Sequence, residues 1–217
     1  MKKFLVLGVL FILPLVAYLF FASGVHNFAK LPVLETNVGN LTAFTPLDSQ
    51  KVVTLQDKIT ILSFLGDQLH HREGNAFNLN QKIYKKNYEF KDFQFVVILP
   101  YGSEAKATEL LKELGNIADV SNWNYLFGTP EQIQSFFKSL KTPYQLDEHL
   151  GTDYVFIIDK DNNLRGRDAD SNKKEVSKYG YNASSVAELS DEMNDDVKVI
   201  LAEYRLALKK YKADRKN

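Results

Sequence analysis

Cysteine is absent from all 217 residues, and that absence closes several classes at once. Disulfides, thiol nucleophiles, thiolate metal sites, iron–sulfur clusters and lipid attachment through an N-terminal cysteine all need sulfur that the chain does not have. Charge of one sign is missing too, since 27 basic residues balance 27 acidic ones. With no Lys/Arg stripe interleaved with aromatics, nothing in the charge pattern favours nucleic acid. Glycine and proline are sparse, at 11 and 6, so the composition is that of an ordinary globular chain. Stability must come from packing, and the length suits one domain of ~150 to 180 residues with an appendage.

The appendage is at the start. MKKFLVLGVLFILPLVAYLFFASG carries Lys2 and Lys3 and then runs uncharged from Phe4 to Ser23. Such a run spans ~30 Å as a helix, enough for a bilayer core, whereas a signal-peptide core is typically ~7 to 15 residues. Residues 1–24 are therefore read as a single transmembrane anchor in the cytoplasmic (inner) membrane. The two lysines hold the N-terminus in the cytoplasm and put the rest on the periplasmic, extracytoplasmic side. A cleaved signal is the rival reading, because Ala22-Ser23-Gly24 offers a small-x-small pattern. Residues 25–43 read as a tether and 44–217 as the folded domain.

Within the domain, KVVTL (51–55) and ITILSFL (59–65) are β-rich, the second nearly continuous in apolar residues as a buried central strand should be. Phe77, Leu79, Ile83 and Tyr84 recur at helical spacing. FQFVVIL (93–99) is a second central strand, and a helix over SEAKATELLKELG follows, closed by Gly115 in C-cap position. Thr129 as N-cap, Pro130 at N1 and Glu131 in the first turn start another helix. YVFIID, the turn KDNN and LRGR form a hairpin, and Leu189, Met193, Val197, Ile200, Tyr204 and Leu208 line a long final helix. The polar stretch Asp168–Ser185 reads as a flexible surface insertion. This order predicts an α/β, thioredoxin-like mixed sheet flanked by helices.

In that plan the loop after the first central strand is where redox or metal chemistry sits, because a helix N-terminus there stabilises a thiolate. FLGDQLHHREGN, Phe64 to Asn75, occupies it. FTPLDSQKVVTLQDKITILSFLG, VVILPYGSEAKATELLKEL, LFGTPEQIQSFFKSL and FIIDKDNNLRGR together resemble the SCO/SenC family over about residues 44–205, with GTPEQI the most specific piece. The resemblance implies a membrane-anchored, thioredoxin-like domain from a group of copper chaperones, thiol reductants and cytochrome oxidase assembly proteins. It also implies a C-x-x-x-C in this loop and a histidine before a later strand. Counted from Phe64, the two cysteine positions fall on Leu69 and Glu73, and neither can replace a thiolate toward Cu(I). Counted back from Asp159, the histidine position falls on Gly151.

Two readings follow. The first is a cysteine-less, non-redox domain acting by protein–protein contact, with respiratory oxidase assembly or other envelope proteins as the implied partners. The alternative is a copper or zinc carrier using His70 and/or His71 with His149, because imidazoles suit Cu(II) and Zn(II). Adjacent histidines on an extended loop would point to opposite sides, which weakens the set. Asp67 and Glu73 read as surface charges near a helix start. No catalytic residue or cofactor motif stands out, so no enzymatic activity is expected, and thiol exchange by the chain's own side chains is impossible.

Overall fold

A computed structural model describes residues 2–23, 30–169 and 176–214. Its elements are α1 (Lys2–Ser23), β1 (Val33–Glu35), β2 (Thr45–Pro46), β3 (Ile59–Phe64), α2 (Glu73–Leu79), α3 (Lys85–Asn87), β4 (Phe93–Pro100), α4 (Glu104–Gly115), β5 (Trp123–Gly128) and α5 (Pro130–Ser139). There follow β6 (Tyr154–Ile158), β7 (Leu164–Arg165), β8 (Tyr181–Asn182), α6 (Val186–Glu188) and α7 (Asn194–Asp214). A π-helical turn over Asn80–Tyr84 joins α2 to α3, and another over Leu189–Met193 joins α6 to α7.

One mixed sheet runs β1-β7-β6-β3-β4-β5-β2, with β8 added beside β6. β3, β4 and β5 are parallel, and β6 lies antiparallel to β3. Every residue of β3 and β4 is buried, as strands covered on both faces must be. Alternation splits β4 between two cores. Phe93, Phe95, Val97 and Leu99 face the helical side of α2, α4 and α7. Val96 and Ile98 face α5, where Ile133, Phe136 and Phe137 pack with Phe64 and Phe156.

The thioredoxin-like plan is therefore present, with local corrections. β5 is a third parallel strand beside β4, and the alternating Trp123, Tyr125 and Phe127 are buried in one core, as residues on one strand face should be. Lys51–Leu55 is not a strand: Val52 is fully exposed and only Leu55 is buried, so its β-branched residues find no ladder. The α4 cap is Asn116, with Gly115 inside the helix. Leu31, Val38 and Leu41, within the stretch read as tether, belong to the packed cores, and β1 pairs with β7. The folded unit thus begins before Phe44. Lys178 bridges Arg167 and β8 pairs with β6, while the Tyr181 hydroxyl donates to Asp196 at 2.6 Å. The described part of the expected surface insertion is thus sheet edge.

Thr129 caps α5 as read, and its partner in a reciprocal box is Gln132: each side chain bonds the other's backbone amide, at 2.8 and 3.3 Å. α1 exposes apolar side chains all along its described length, from Val6 to Leu19. Among the described residues no helix is long and apolar enough to cross a membrane.

Candidate functional site

Strand β3 delivers the loop FLGDQLHHREGN to the C-terminal edge of the parallel strands, where the segment 147–153 meets it. The two are zipped by backbone. Leu65 bridges Gly151, the Thr152 amide donates to Phe64 at 2.9 Å, and the Asp67 amide donates to His149 at 3.0 Å. That closeness requires Gly66: its φ is +74°, and a Cβ there would stand 2.5 Å from the His149 carbonyl oxygen.

Arg72 lies at the centre of this junction. Its side chain is largely buried, and it donates to Asp147 at 2.6 Å and to Asp153 at 3.2 Å. Asn75 supports Asp153 from the next turn, at 2.9 Å. Asp147 is also the hub of a tight turn: its Oδ1 accepts from the amides of His149 and Gly151, both at 2.9 Å. Burial by itself would raise the Asp147 carboxyl, but the Gly151 amide, the Arg72 guanidinium and the His149 amide outweigh it and hold it below the ordinary carboxylate range. A Cβ added to Gly151 would run into the Arg72 guanidinium. The room that a side chain at position 151 would use is occupied by arginine.

The sequence-derived candidates are placed unequally around this clasp. Leu69, at the first expected cysteine position, is buried in the core and presents nothing to a ligand. Glu73, at the second, begins α2 and is partly exposed. His70 and His71 sit on a 3-10 turn, Leu69–His71, both exposed, with ring centroids 4.0 Å apart. The tight turn, where an extended loop was expected, brings the rings together instead of splaying them. His149 has other partners: Nδ1 lies 3.0 Å from Asp67 and Nε2 lies 3.0 Å from the Gln68 amide nitrogen. With Nδ1 protonated toward Asp67, Nε2 accepts from Gln68, and both ring nitrogens are engaged. Among the described residues no group of three or more His, Asp or Glu stands where it could hold a metal ion. Asp67, read as a lone surface charge, is a partner of His149.

Arg72, Asp147 and Asp153 were missed as a unit. Each is an unremarkable charged residue in its own segment, and only the fold brings residues 75 and 81 positions apart together. The one signal available was Gly151 flanked by two aspartates opposite an arginine-bearing loop.

No family model matches the chain, and no curated protein matches it in sequence. Solved structures do. The fold is that of thioredoxin-like proteins: a SCO1/SenC family lipoprotein from Bacillus anthracis str. Ames superposes with a TM-score of 0.56 at 19% identity, over 79% of this chain and 99% of that one. A protein assigned to electron transfer from Aquifex aeolicus VF5 follows at 0.52 and 15%, over 77% and 92%. Arabidopsis thaliana ScoI, solved with copper bound, aligns at 0.46 and 21%, over 74% and 97%. At these identities the likeness is one of fold, and the SCO/SenC resemblance read from the sequence has its structural counterpart in the first of them.

Proposed function

We propose that this protein is a membrane-tethered, non-redox thioredoxin-fold domain that works by protein–protein contact, with assembly factors of a respiratory oxidase or other envelope proteins as partners. The carrying observation is the Arg72 clasp. A guanidinium paired with Asp147 and Asp153 fills the loop junction, and no thiol exists in the chain to act there. The junction is an ordered surface with fixed charges and no reactive group, which suits recognition. Tethering is supported by the uncharged run Phe4 to Ser23 and by the apolar side chains that α1 leaves exposed on all sides. Lys2 and Lys3 favour the orientation that puts the domain outside the cytoplasm. Affinity purification of the anchored chain, with oxidase activity and copper content scored in a deletion strain, tests the reading. Co-purification of an assembly factor and reduced oxidase are expected. Unchanged oxidase with no such partner would end it.

A histidine-based copper or zinc carrier is the second reading, favoured by one observation: the His70 and His71 rings lie 4.0 Å apart on an exposed turn. A Cu(II) or Zn(II) titration of the chain decides it. Binding weaker than tens of micromolar, or binding unchanged by His70→Ala, His71→Ala and His149→Ala, would remove it.

A further inference from the structure

The net charge of zero hides an uneven distribution. Residues 30–204 carry 26 acidic and 19 basic side chains, whereas residues 205–217 carry six basic ones (Arg205, Lys209, Lys210, Lys212, Arg215 and Lys216) and one acidic, Asp214. The break coincides with a change in packing. Along α7 the stripe Val197, Ile200, Leu201 and Tyr204 is buried in the core, and the Tyr204 hydroxyl closes it by donating to Asp92 at 2.8 Å. Past Tyr204 the side chains of 205–208 are all exposed, yet the helix continues to Asp214. Leu206 and Leu208 are each 41% exposed, and Leu208 and Tyr211 carry the stripe on, four and seven residues from Tyr204. Glu203 and Asp92 at the base of this segment are paired with Arg165 and Lys58, and Asp57, near Tyr204, is a single opposing charge. A helix end that combines an uncovered apolar stripe with clustered cations has the pattern of a segment that lies on an anionic lipid surface.

Given the tether proposed above, on which this contact depends, we propose that residues 205–214 lie on the membrane surface and bind the headgroups of anionic lipids in the bilayer that holds the anchor. The geometry comes from Leu31. Its amide donates to Glu203 at 2.7 Å and its carbonyl accepts from Arg165, so the chain arriving from the anchor enters the domain beside the last buried turn of α7. Eight residue steps join Ser23, the end of α1, to Leu31, and at ~3.6 Å each they span at most ~29 Å. The rest of α7 leaves from the same point, and its eleven steps from 203 to 214 cover ~16 Å. The basic end is therefore within reach of the surface while Leu31 stays packed. The contact also sets which way the domain faces. Arg205 stands over the Phe90 ring at 5.2 Å and Tyr204 bonds Asp92, both just before β4, whereas the Arg72 junction lies at the opposite ends of the parallel strands β3 and β4. Lipid contact at the end of α7 turns the junction away from the bilayer, toward a partner.

The chain has no cysteine, so one introduced thiol carries one probe. Ala207→Cys, at an exposed position of the segment, and Glu148→Cys, 88% exposed at the junction, are each labelled with a fluorophore in the full chain. The chains are placed in nanodiscs of phosphatidylcholine alone or with about one-third phosphatidylglycerol, each holding a headgroup-nitroxide lipid as quencher. Quenching at position 207 is expected to be roughly twofold or more greater in the anionic discs. It should fall in about 1 M salt, where charge is screened beyond ~3 Å, and return to the neutral-disc level in the triple variant Lys209→Gln, Lys210→Gln, Lys212→Gln. The probe at 148 should stay unquenched in both discs. Equal quenching at 207 in the two discs, no response to salt or to the triple variant, or quenching at 148 that matches 207 would each overturn the proposal. Carbonate extraction of membranes separates this contact from the tether. A chain released into the wash has no anchor and both fall, whereas a retained chain whose probe ignores lipid charge removes the lipid contact alone.

Discussion

Arg72 and Arg165 each hold two carboxylates, and the two clasps differ in what surrounds them. Arg165 lies within the sheet: its side chain is 9% exposed, and its partners Asp159 and Glu203 are 6% and 18% exposed. It also donates to the Leu31 carbonyl, and Glu203 accepts from the Leu31 amide at 2.7 Å. One guanidinium thus ties the start of the domain, the β6–β7 hairpin and α7. Arg72 is 14% exposed, but its partners Asp147 and Asp153 are 37% and 49% exposed, and it joins two loops at a rim. An arginine deep in the sheet is part of the fold's construction. The same chemistry at the edge, where the plan of the fold places a functional loop, holds a surface in shape.

The sharpest way to break this comparison is to remove each guanidinium. Arg165→Ala strands the buried Asp159 and the partly buried Glu203 and unties Leu31, so a loss of about 3–5 kcal/mol is expected in urea unfolding. Arg72→Ala leaves carboxylates that water can reach, and its loss should be about 1–2 kcal/mol. If the two losses were equal, the distinction between frame and rim would fail.

Gly151 offers a finer test. Gly151→Ala drives a Cβ into the Arg72 guanidinium, so a cost of about 1–2 kcal/mol is expected in the presence of the arginine. In an Arg72→Ala background the same change should cost less, giving a coupling of about 1 kcal/mol between the positions. Additive losses would show that the two residues do not compete for the same space.

Much of the frame could be read before any coordinates. Continuous apolar runs marked β3 and β4, and the Thr129-Pro130 start marked α5, because those signals are local. Lys51–Leu55 failed for the opposite reason: β-branched residues make a strand only where a neighbour offers a ladder. β8 was hidden in polar sequence because its role depends on Tyr181 reaching Asp196 across the fold. The loop's position was legible from element order. Its occupant was not, since nothing local to Arg72 points to Asp147 or Asp153. The histidines show the same limit, because the partner of His149 is Asp67 and no spacing rule joins them.

The smallest expected effect is that of acid. The Asp147 carboxyl is held below its ordinary value in the folded chain, so its contribution is complete above the unfolded carboxylate value, about 4, and is lost as pH falls through the lower folded one. Below about pH 4 the wild-type chain should therefore lose stability more steeply than Arg72→Ala, in which Asp147 has one less reason to stay ionised. Urea midpoints measured from neutral pH downward on both chains check this, and the gap between them should narrow toward the acid end. A gap that stays constant would mean that Arg72 stabilises the junction by packing against Gly151 and not through charge, and the rim clasp would then differ from the Arg165 clasp in kind as well as in degree.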